Sequence, residues 1–269
     1  KEIQPRIENQ KIIHPKEFFA FLEQFQLHHF LLSALDCAYW DLFGKLENKS
    51  FSGINQLENK TLAESSITIS IAEIDEQIRK IENSSWNKFK VKCNGFNLKN
   101  TEKLLNLNRN IALDANASFT KEDCLFIQET PGFQKLMYIE QPLEIGNFGI
   151  LKNGNSVNWM ADEDCQDITF LEKLKPYYSS INIKLMKCGG LTPALEMITE
   201  AKKLGYKIML GCMTESSIGI SAGCAIAGLL DFADLDGANL ISNDYATGSF
   251  VDNGKIILSE KPGLGIALL

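Results

Sequence analysis

Eight short apolar runs recur along the chain, all but the last followed by an amphipathic or helix-forming stretch, and their starts lie about 20 to 27 residues apart. They are Ile67–Ile71, Phe89–Cys93, Ile111–Asp114, Met137–Glu140, Trp159–Asp162, Ile181–Leu185, Lys207–Gly211 and Ala233–Asp236. Segments such as Ile74–Ile81, Pro193–Leu204 and Ser217–Leu230 separate them. Strands that alternate with helices in this way predict an α/β fold with a parallel βα barrel rather than a sandwich. No clear helix follows the last strand. Ahead of the repeat, Phe18, Phe19, Phe21, Leu22 and Phe25 recur at helical spacing. A second helical run holds Leu31, Leu32, Leu35, Ala38, Tyr39, Leu42 and Phe43 and is expected to stop at Gly44. Lys45 to Ser66 reads as a polar linker. Ala238 to Leu269 is Gly-rich, with one strand-like stretch, Lys255–Leu258, before a loop at Pro262 and Gly263.

Composition removes several function classes. With 45% hydrophobic and 23% charged residues the chain can bury a sizeable core. Its net charge is −7 and it has no long basic block, so no nucleic-acid partner is expected. The longest uncharged stretch of the C-terminal half, Ser216 to Leu230, has 15 residues, short of the ~20 apolar residues a membrane span needs. Seven scattered cysteines with no CxxC pair read as reduced thiols, and the polar opening at Lys1 has no signal-peptide pattern, so a cytoplasmic setting is expected. The three histidines are His14, His28 and His29. A Ser-His-Asp triad, a Cys-His dyad or a multi-histidine zinc site in the body of the chain is thereby excluded. Acid-base chemistry there falls to Lys, Asp, Glu, Tyr or Cys.

A parallel barrel collects its functional side chains where its strands end. In the second strand, Lys88, Lys90 and Lys92 share one face, and Phe89, Val91 and Cys93 share the other. If the apolar face packs on outer helices, the lysines point inward, where ammonium groups need anionic partners. The alternative is a solvated edge strand, which a closed barrel does not have. The third, fourth and fifth strands end in Asp114, Glu140 and Asp162, spaced by 26 and 22 residues, one βα unit each. Each alone reads as a helix cap or loop charge. In register, the three would repel one another unless a divalent cation joined them. An all-oxygen donor set makes Mg²⁺ the first choice and Mn²⁺ the second. The sixth strand turns Asn182 and Lys184 inward, and half a ring separates it from the second, so Lys92 and Lys184 face each other across the mouth. Gly189-Gly190 reads as a tight turn, a phosphate cradle being less favoured, and no Walker or GxGxxG sequence occurs. The seventh strand ends Gly211-Cys212-Met213-Thr214-Glu215-Ser216. The eighth ends Asp234-Leu235-Asp236, read either as turn-forming acids before Gly237 or as the holder of a cationic substrate group.

Taken together, Lys90-Val91-Lys92, Asp114-Ala115-Asn116, Glu140-Gln141-Pro142, Ala161-Asp162-Glu163 and Lys184 with Gly189-Gly190 resemble the enolase superfamily, muconate cycloisomerase subgroup, in the right order from about Ile67 to Leu269. The resemblance implies a (β/α)7β barrel over residues 66–237. It also implies a capping domain, of which residues 1–60 supply the helical part without its N-terminal sheet and residues 238–269 return to it. It implies Asp114, Glu140 and Asp162 as Mg²⁺ ligands and Lys92 and Lys184 as the acid/base pair, supported by Lys90, Asn116 and Glu163. Asp234 and Asp236 are similar to the DxD motif with which dipeptide epimerases hold a free ammonium, and Cys212 and Met213 lie in a segment that resembles the same group's. The implied activity is epimerisation of a small dipeptide of the L-Ala-D/L-Glu kind, in peptidoglycan peptide recycling. Competing readings are o-succinylbenzoate synthase, N-acylamino acid racemase and, from another class, a catalytically silent barrel that only binds. A homo-oligomer stays open. The superfamily's pairing of a Lys base with Mg²⁺ is a general property already known of it.

Overall fold

The computed structural model describes residues 3–9, 11, 13–58, 60–154 and 157–269. The polar opening at Lys1 and position 59 of the expected linker lie outside these. Helices α1 (Gln4–Glu8), α2 (Pro15–Glu23), α3 (His29–Leu46) and α4 (Phe51–Ile54) come first. The barrel follows as β1 (Ile67–Ile69), α5 (Ile74–Glu82), β2 (Lys88–Lys92), α6 (Leu98–Leu105), β3 (Asn110–Asp114), α7 (Lys121–Glu129), β4 (Ile139–Glu140) and β5 (Trp159–Ala161). It continues with α8 (Leu171–Leu174), β6 (Ser180–Ile183), α9 (Leu185–Cys188), α10 (Leu191–Lys203), β7 (Lys207–Gly211), α11 (Ser217–Ala225) and β8 (Phe232–Asp234). The tail forms β9 (Ala246–Thr247), β10 (Phe250–Asp252), β11 (Lys255–Ile257) and β12 (Ala267–Leu268).

All eight barrel strands pair in parallel with their sequence neighbours, in the order β1 to β8. The ring closes beside β1, where Ser65 bridges Ala233 and Leu235 N–H donates to Ser65 Oγ at 2.9 Å. The predicted barrel and its eight strands are thus present. Alternation sorts the side chains as the sequence requires. Phe89, Val91, Ile111, Leu113, Ile181, Ile183, Ile208 and Leu210 face outward into the core shared with the helices. Ala112, Tyr138, Met160 and Met209 form a separate apolar layer inside the ring. The charged positions of the same inward rows, Lys90, Asp114, Glu140 and Asp162, lie above that floor and are also buried.

Three local expectations need correction. Helix α3 does not stop at Gly44 but runs to Leu46. Gly44 serves close approach instead, because a Cβ there would stand 2.5 Å from Gly263 Cα and 2.9 Å from Lys49 O. The stretch from Lys45 to Ser66 is not merely a linker. It forms α4, capped by Ser50 Oγ on Gly53 N–H at 3.1 Å, and buries Phe51 against Trp40. The first strand ends at Ile69, and Ile71 is exposed.

The tail returns to the N-terminal helices. Phe51 N–H donates to Gly263 O at 2.8 Å, Leu264 N–H to Asp41 Oδ1 at 2.9 Å, and Lys45 Nζ to Ile266 O at 3.0 Å. Helix α3 is tied to the barrel through Asp36, which is fully buried and accepts from Thr192 N–H and Thr192 Oγ–H at 2.8 and 2.7 Å. Among the described residues no helix is long and apolar enough to cross a membrane, and all seven cysteines are unpaired.

Two expected outcomes follow from this frame. Gly44→Ala is expected to lose about 1–3 kcal/mol in urea unfolding, since two backbone segments would have to separate. Burial pushes the Asp36 carboxyl up to about 6 against the hydrogen bonds of Thr192. A folded value above the ordinary one means that this carboxyl favours the native state while protonated, and that the contribution is lost as the pH rises through about 6. Asp36→Asn lacks that loss, so its stability relative to wild type is expected to rise by about 3 kcal/mol from pH values below 3.8 to neutral pH, read by the same unfolding curves.

Candidate active site

The mouth of the barrel holds four lysines and a larger set of carboxylates, nearly all withdrawn from water. Lys90 lies deepest. Its ammonium pairs with Asp234 and stands 3.5 Å from Glu140 Oε2 and 3.7 Å from Asp114 Oδ2. Burial pulls its pKa down, but Asp234, Glu140 and Asp114 outweigh that and hold it well above the ordinary lysine value. Its charge is therefore taken up by acids at once, rather than standing free beside Lys92. Lys92, two residues on, reaches the opening with its side chain 34% exposed. Its Nζ donates to Asn116 Oδ1 at 2.9 Å and to Asp114 Oδ2 at 3.2 Å. Half a ring away, Lys184 Nζ donates to Asp162 Oδ2 at 2.7 Å, with its side chain 13% exposed. Burial lowers the Lys184 pKa, and the Asp162 and Glu140 carboxylates raise it by more.

Two of the three expected metal ligands end adjacent strands in register, Lys92 beside Asp114 and Asp114 beside Glu140, whereas Met160 stands beside Glu140 and Asp162 follows just past the end of β5. Burial raises Glu140 above the carboxylate range, with Lys90 opposing and Asp114 and Asp162 adding to the rise. Asp162 is held low: its burial is overcome by Lys187 and Lys184. Lys187 was not singled out from sequence. Its ammonium pairs with Asp162 Oδ1 and donates to Asp162 O at 2.7 Å and Asn182 O at 3.3 Å. The available signal was its position three residues after Lys184, one helical turn on.

Gln141, which the sequence marks only as part of the Glu140-Gln141-Pro142 motif, has a structural role at the rim. It is fully buried at φ +36°, an unusual backbone for a residue with a Cβ. Its Oε1 accepts from Asp162 N–H and Asp164 N–H, both at 3.1 Å. Its Nε2 donates to Leu143 O and Asp164 Oδ2, both at 2.9 Å. One amide thus locks the end of β4 to the end of β5. Asp164 also accepts from Tyr178 Oη–H at 2.8 Å. Asn182 Nδ2 donates to Glu140 Oε1 at 2.6 Å, and Gly211 leaves room for it, since a Cβ there would stand 2.6 Å from Asn182 Oδ1.

Of the residues assigned to substrate, Asp234 accepts from Ser66 Oγ–H at 3.0 Å besides its Lys90 pair, and Asp236 accepts from Thr68 N–H at 2.7 Å. Both are buried. Burial and the neighbouring Asp234 raise the Asp236 pKa. Cys212 is half-buried and Met213 exposed. Glu163 is half-buried beside Asp162.

Among the described residues no three acidic, histidine or cysteine groups are gathered so that they could hold an ion as they stand. Lysine ammoniums are interleaved among the carboxylates instead. The donor chemistry nevertheless suits a hard divalent cation. Glu140 Oε2 and Glu163 Oε2 are buried oxygens with no hydrogen-bond partner, as is Asn182 Oδ1. A cation drawn to Asp114, Glu140 and Asp162 would take the place that lysine charge holds here.

The chain belongs to the enolase C-terminal domain-like family, which its residues 73–269 match. It is similar to an L-Ala-D/L-amino acid epimerase of Maribacter sp., with 36% identity over 99% of this chain and 81% of that protein. Among solved structures, a dipeptide epimerase from Methylococcus capsulatus complexed with Mg ion matches with a TM-score of 0.83 and 26% identity, over 97% of this chain and 81% of that one. The same enzyme complexed with Mg and the dipeptide L-Arg-D-Lys matches equally, at TM-score 0.83 and 26% identity over 96% of this chain and 78% of that one.

Gln141→Ala would leave two buried N–H groups without acceptors. A loss of about 2–4 kcal/mol is expected in urea unfolding, with Gln141→Glu also destabilised because its charge meets Asp164.

Proposed function

We propose that the chain is a Mg²⁺-dependent isomerase that epimerises a dipeptide at the α-carbon of its C-terminal residue. The observation that carries this reading is the opposition of Lys92 and Lys184. Each reaches the mouth from its own side of the ring, Lys92 aimed by Asp114 and Asn116 and Lys184 by Asp162. Two amines on opposite faces of one carbon can remove a proton from one side and return one on the other. Lys92 takes the proton in its neutral form, with Asn116 Oδ1 accepting one of its N–H bonds and so directing the lone pair. Lys184, charged beside Asp162, delivers the second proton, and the roles exchange for the reverse reaction.

Asp114, Glu140 and Asp162 would hold the ion. When bound, Mg²⁺ supplies positive charge against which negative charge can build on the substrate carboxylate. Mn²⁺ suits the same oxygen donors. Asp234 and Asp236 would receive the substrate's free ammonium, which fixes the α-carbon between the lysines. Residues 1–60 and 238–269 would together form the cap over the mouth, with Cys212 and Met213 at its edge. The names of the Maribacter and Methylococcus relatives support a dipeptide rather than an acylated amino acid. Reduced thiols agree with a cytoplasmic setting, and an L-Ala-D/L-Glu substrate would suit peptidoglycan peptide turnover.

The test is a dipeptide library incubated with Mg²⁺ in D₂O and read by mass spectrometry for α-deuterium. Epimerisation is expected with wild type and absent in Lys92→Ala and Lys184→Ala, each variant keeping exchange of one epimer only. Chelation with EDTA is expected to stop both processes, and added Mg²⁺ to restore them. Near-native epimerisation by either lysine variant would refute the two-base scheme.

A further inference from the structure

Gly189-Gly190 has no part in the proposed chemistry, yet its geometry is demanding. The two residues stand at φ +104° and +132°. A Cβ at Gly190 would be 2.5 Å from Asp36 Oδ2, and one at Gly189 would be 3.1 Å from Leu32 Cδ2. The turn between β6 and α10 is therefore pressed onto α3. Gly190 is the N-cap of α10 and has no side chain to cap it. Asp36 supplies the cap from α3, accepting from Thr192 N–H at 2.8 Å and from its hydroxyl at 2.7 Å. Trp40 Nε1, one turn along α3, donates to Thr192 Oγ at 2.9 Å. A third contact joins His29 Nδ1 to Lys187 O.

The chain segment held in this way carries Lys184. Lys184 is the N-cap of the single-turn helix α9, and its carbonyl accepts from Lys187 N–H at 2.9 Å and Cys188 N–H at 3.1 Å. Strand β6 fixes the segment on one side, and Asp36 fixes it on the other. Asp36 is fully buried and forms no ion pair among the described residues. A neutral Asn or Ser would cap a helix with less desolvation cost. Lys92 is carried differently, by β2 and by the bond from Cys93 N–H to Asp114 O at 2.9 Å.

We propose that Asp36 is a positioning residue for Lys184: from α3, outside the barrel, it clamps the start of α10 and so holds the Lys184 side of the site while leaving the Lys92 side alone. The proposal rests on the two-base reading above. It is tested by the rate of α-hydrogen exchange into D₂O, measured separately for each epimer of the dipeptide with Mg²⁺ present. The faces are assigned by the Lys92→Ala and Lys184→Ala variants. In Asp36→Ala, exchange of the epimer served by Lys184 is expected to fall by about 10- to 100-fold, while exchange by Lys92 stays within about twofold. Thr192→Val, which keeps side-chain volume and the backbone N–H, is expected to give a smaller loss on the same face and carries the test if Asp36→Ala does not fold. Asp36→Asn keeps an acceptor for Thr192 N–H and is expected to recover most of the Lys184-side exchange. Equal losses on both faces, or no loss in folded Asp36→Ala or Thr192→Val protein, would overturn the positioning role. Wild-type protein that exchanges neither epimer of any dipeptide would overturn the epimerase reading and this proposal with it, and is told apart from the previous outcomes by the wild-type control alone.

Discussion

Lys90 buries an ammonium group among Asp114, Glu140 and Asp234, and the rest of the mouth is arranged around that pairing. A charge withdrawn from water costs several kcal/mol unless well-placed opposite charges and hydrogen bonds surround it. The barrel meets the requirement by alternation. Strand β2 places three lysines on its inner row, and the neighbouring strands answer with carboxylates one βα unit apart. Lys92 and Lys184 then occupy the outer edge of this charged layer, where a ligand can reach them. An ion held by these carboxylates would give the amines new partners.

Much of this was legible because strand periodicity is simple. Inward Lys90, Lys92, Asn182 and Lys184 follow from a period of two, and the register of Asp114 with Glu140 follows from the βα spacing, while Asp162 falls two residues beyond the partner of Glu140. The strand ends differ from expectation by a few residues at most, as with Ile71 and Asp236, which fall outside their strands. What escaped the sequence depends on contacts between distant segments. Gly44 looked like a helix stop because a glycine in a helical run usually is one. Its real partner is Gly263, more than two hundred residues away. Phe51 sat in polar surroundings in sequence and is buried by Trp40.

Lys187 and Gln141 were hidden for a related reason. Each is a polar residue next to a more conspicuous one, and its role is to hold a neighbour's backbone or carboxylate rather than to meet a substrate. Asn116, Ala117 and Gln141 all carry positive φ without being glycine. Such backbones persist where surrounding hydrogen bonds over-determine them, and here the loops that follow β3 and β4 are shaped by bonds such as Ala117 N–H to Gln141 O at 2.7 Å. The rim is thus a set of interlocked turns, and the strand framework alone does not specify it.

The apolar floor of Ala112, Tyr138, Met160 and Met209 has one more consequence. It seals the ring from below, with Met137 and Phe232 packed against it. Lys92 and Lys184 are partly exposed at the opposite end, where the strands run out into their turns. The two ends of the ring are thus unlike: one is filled by apolar packing, and the buried charged side chains of the ring stand toward the turns that follow the strands.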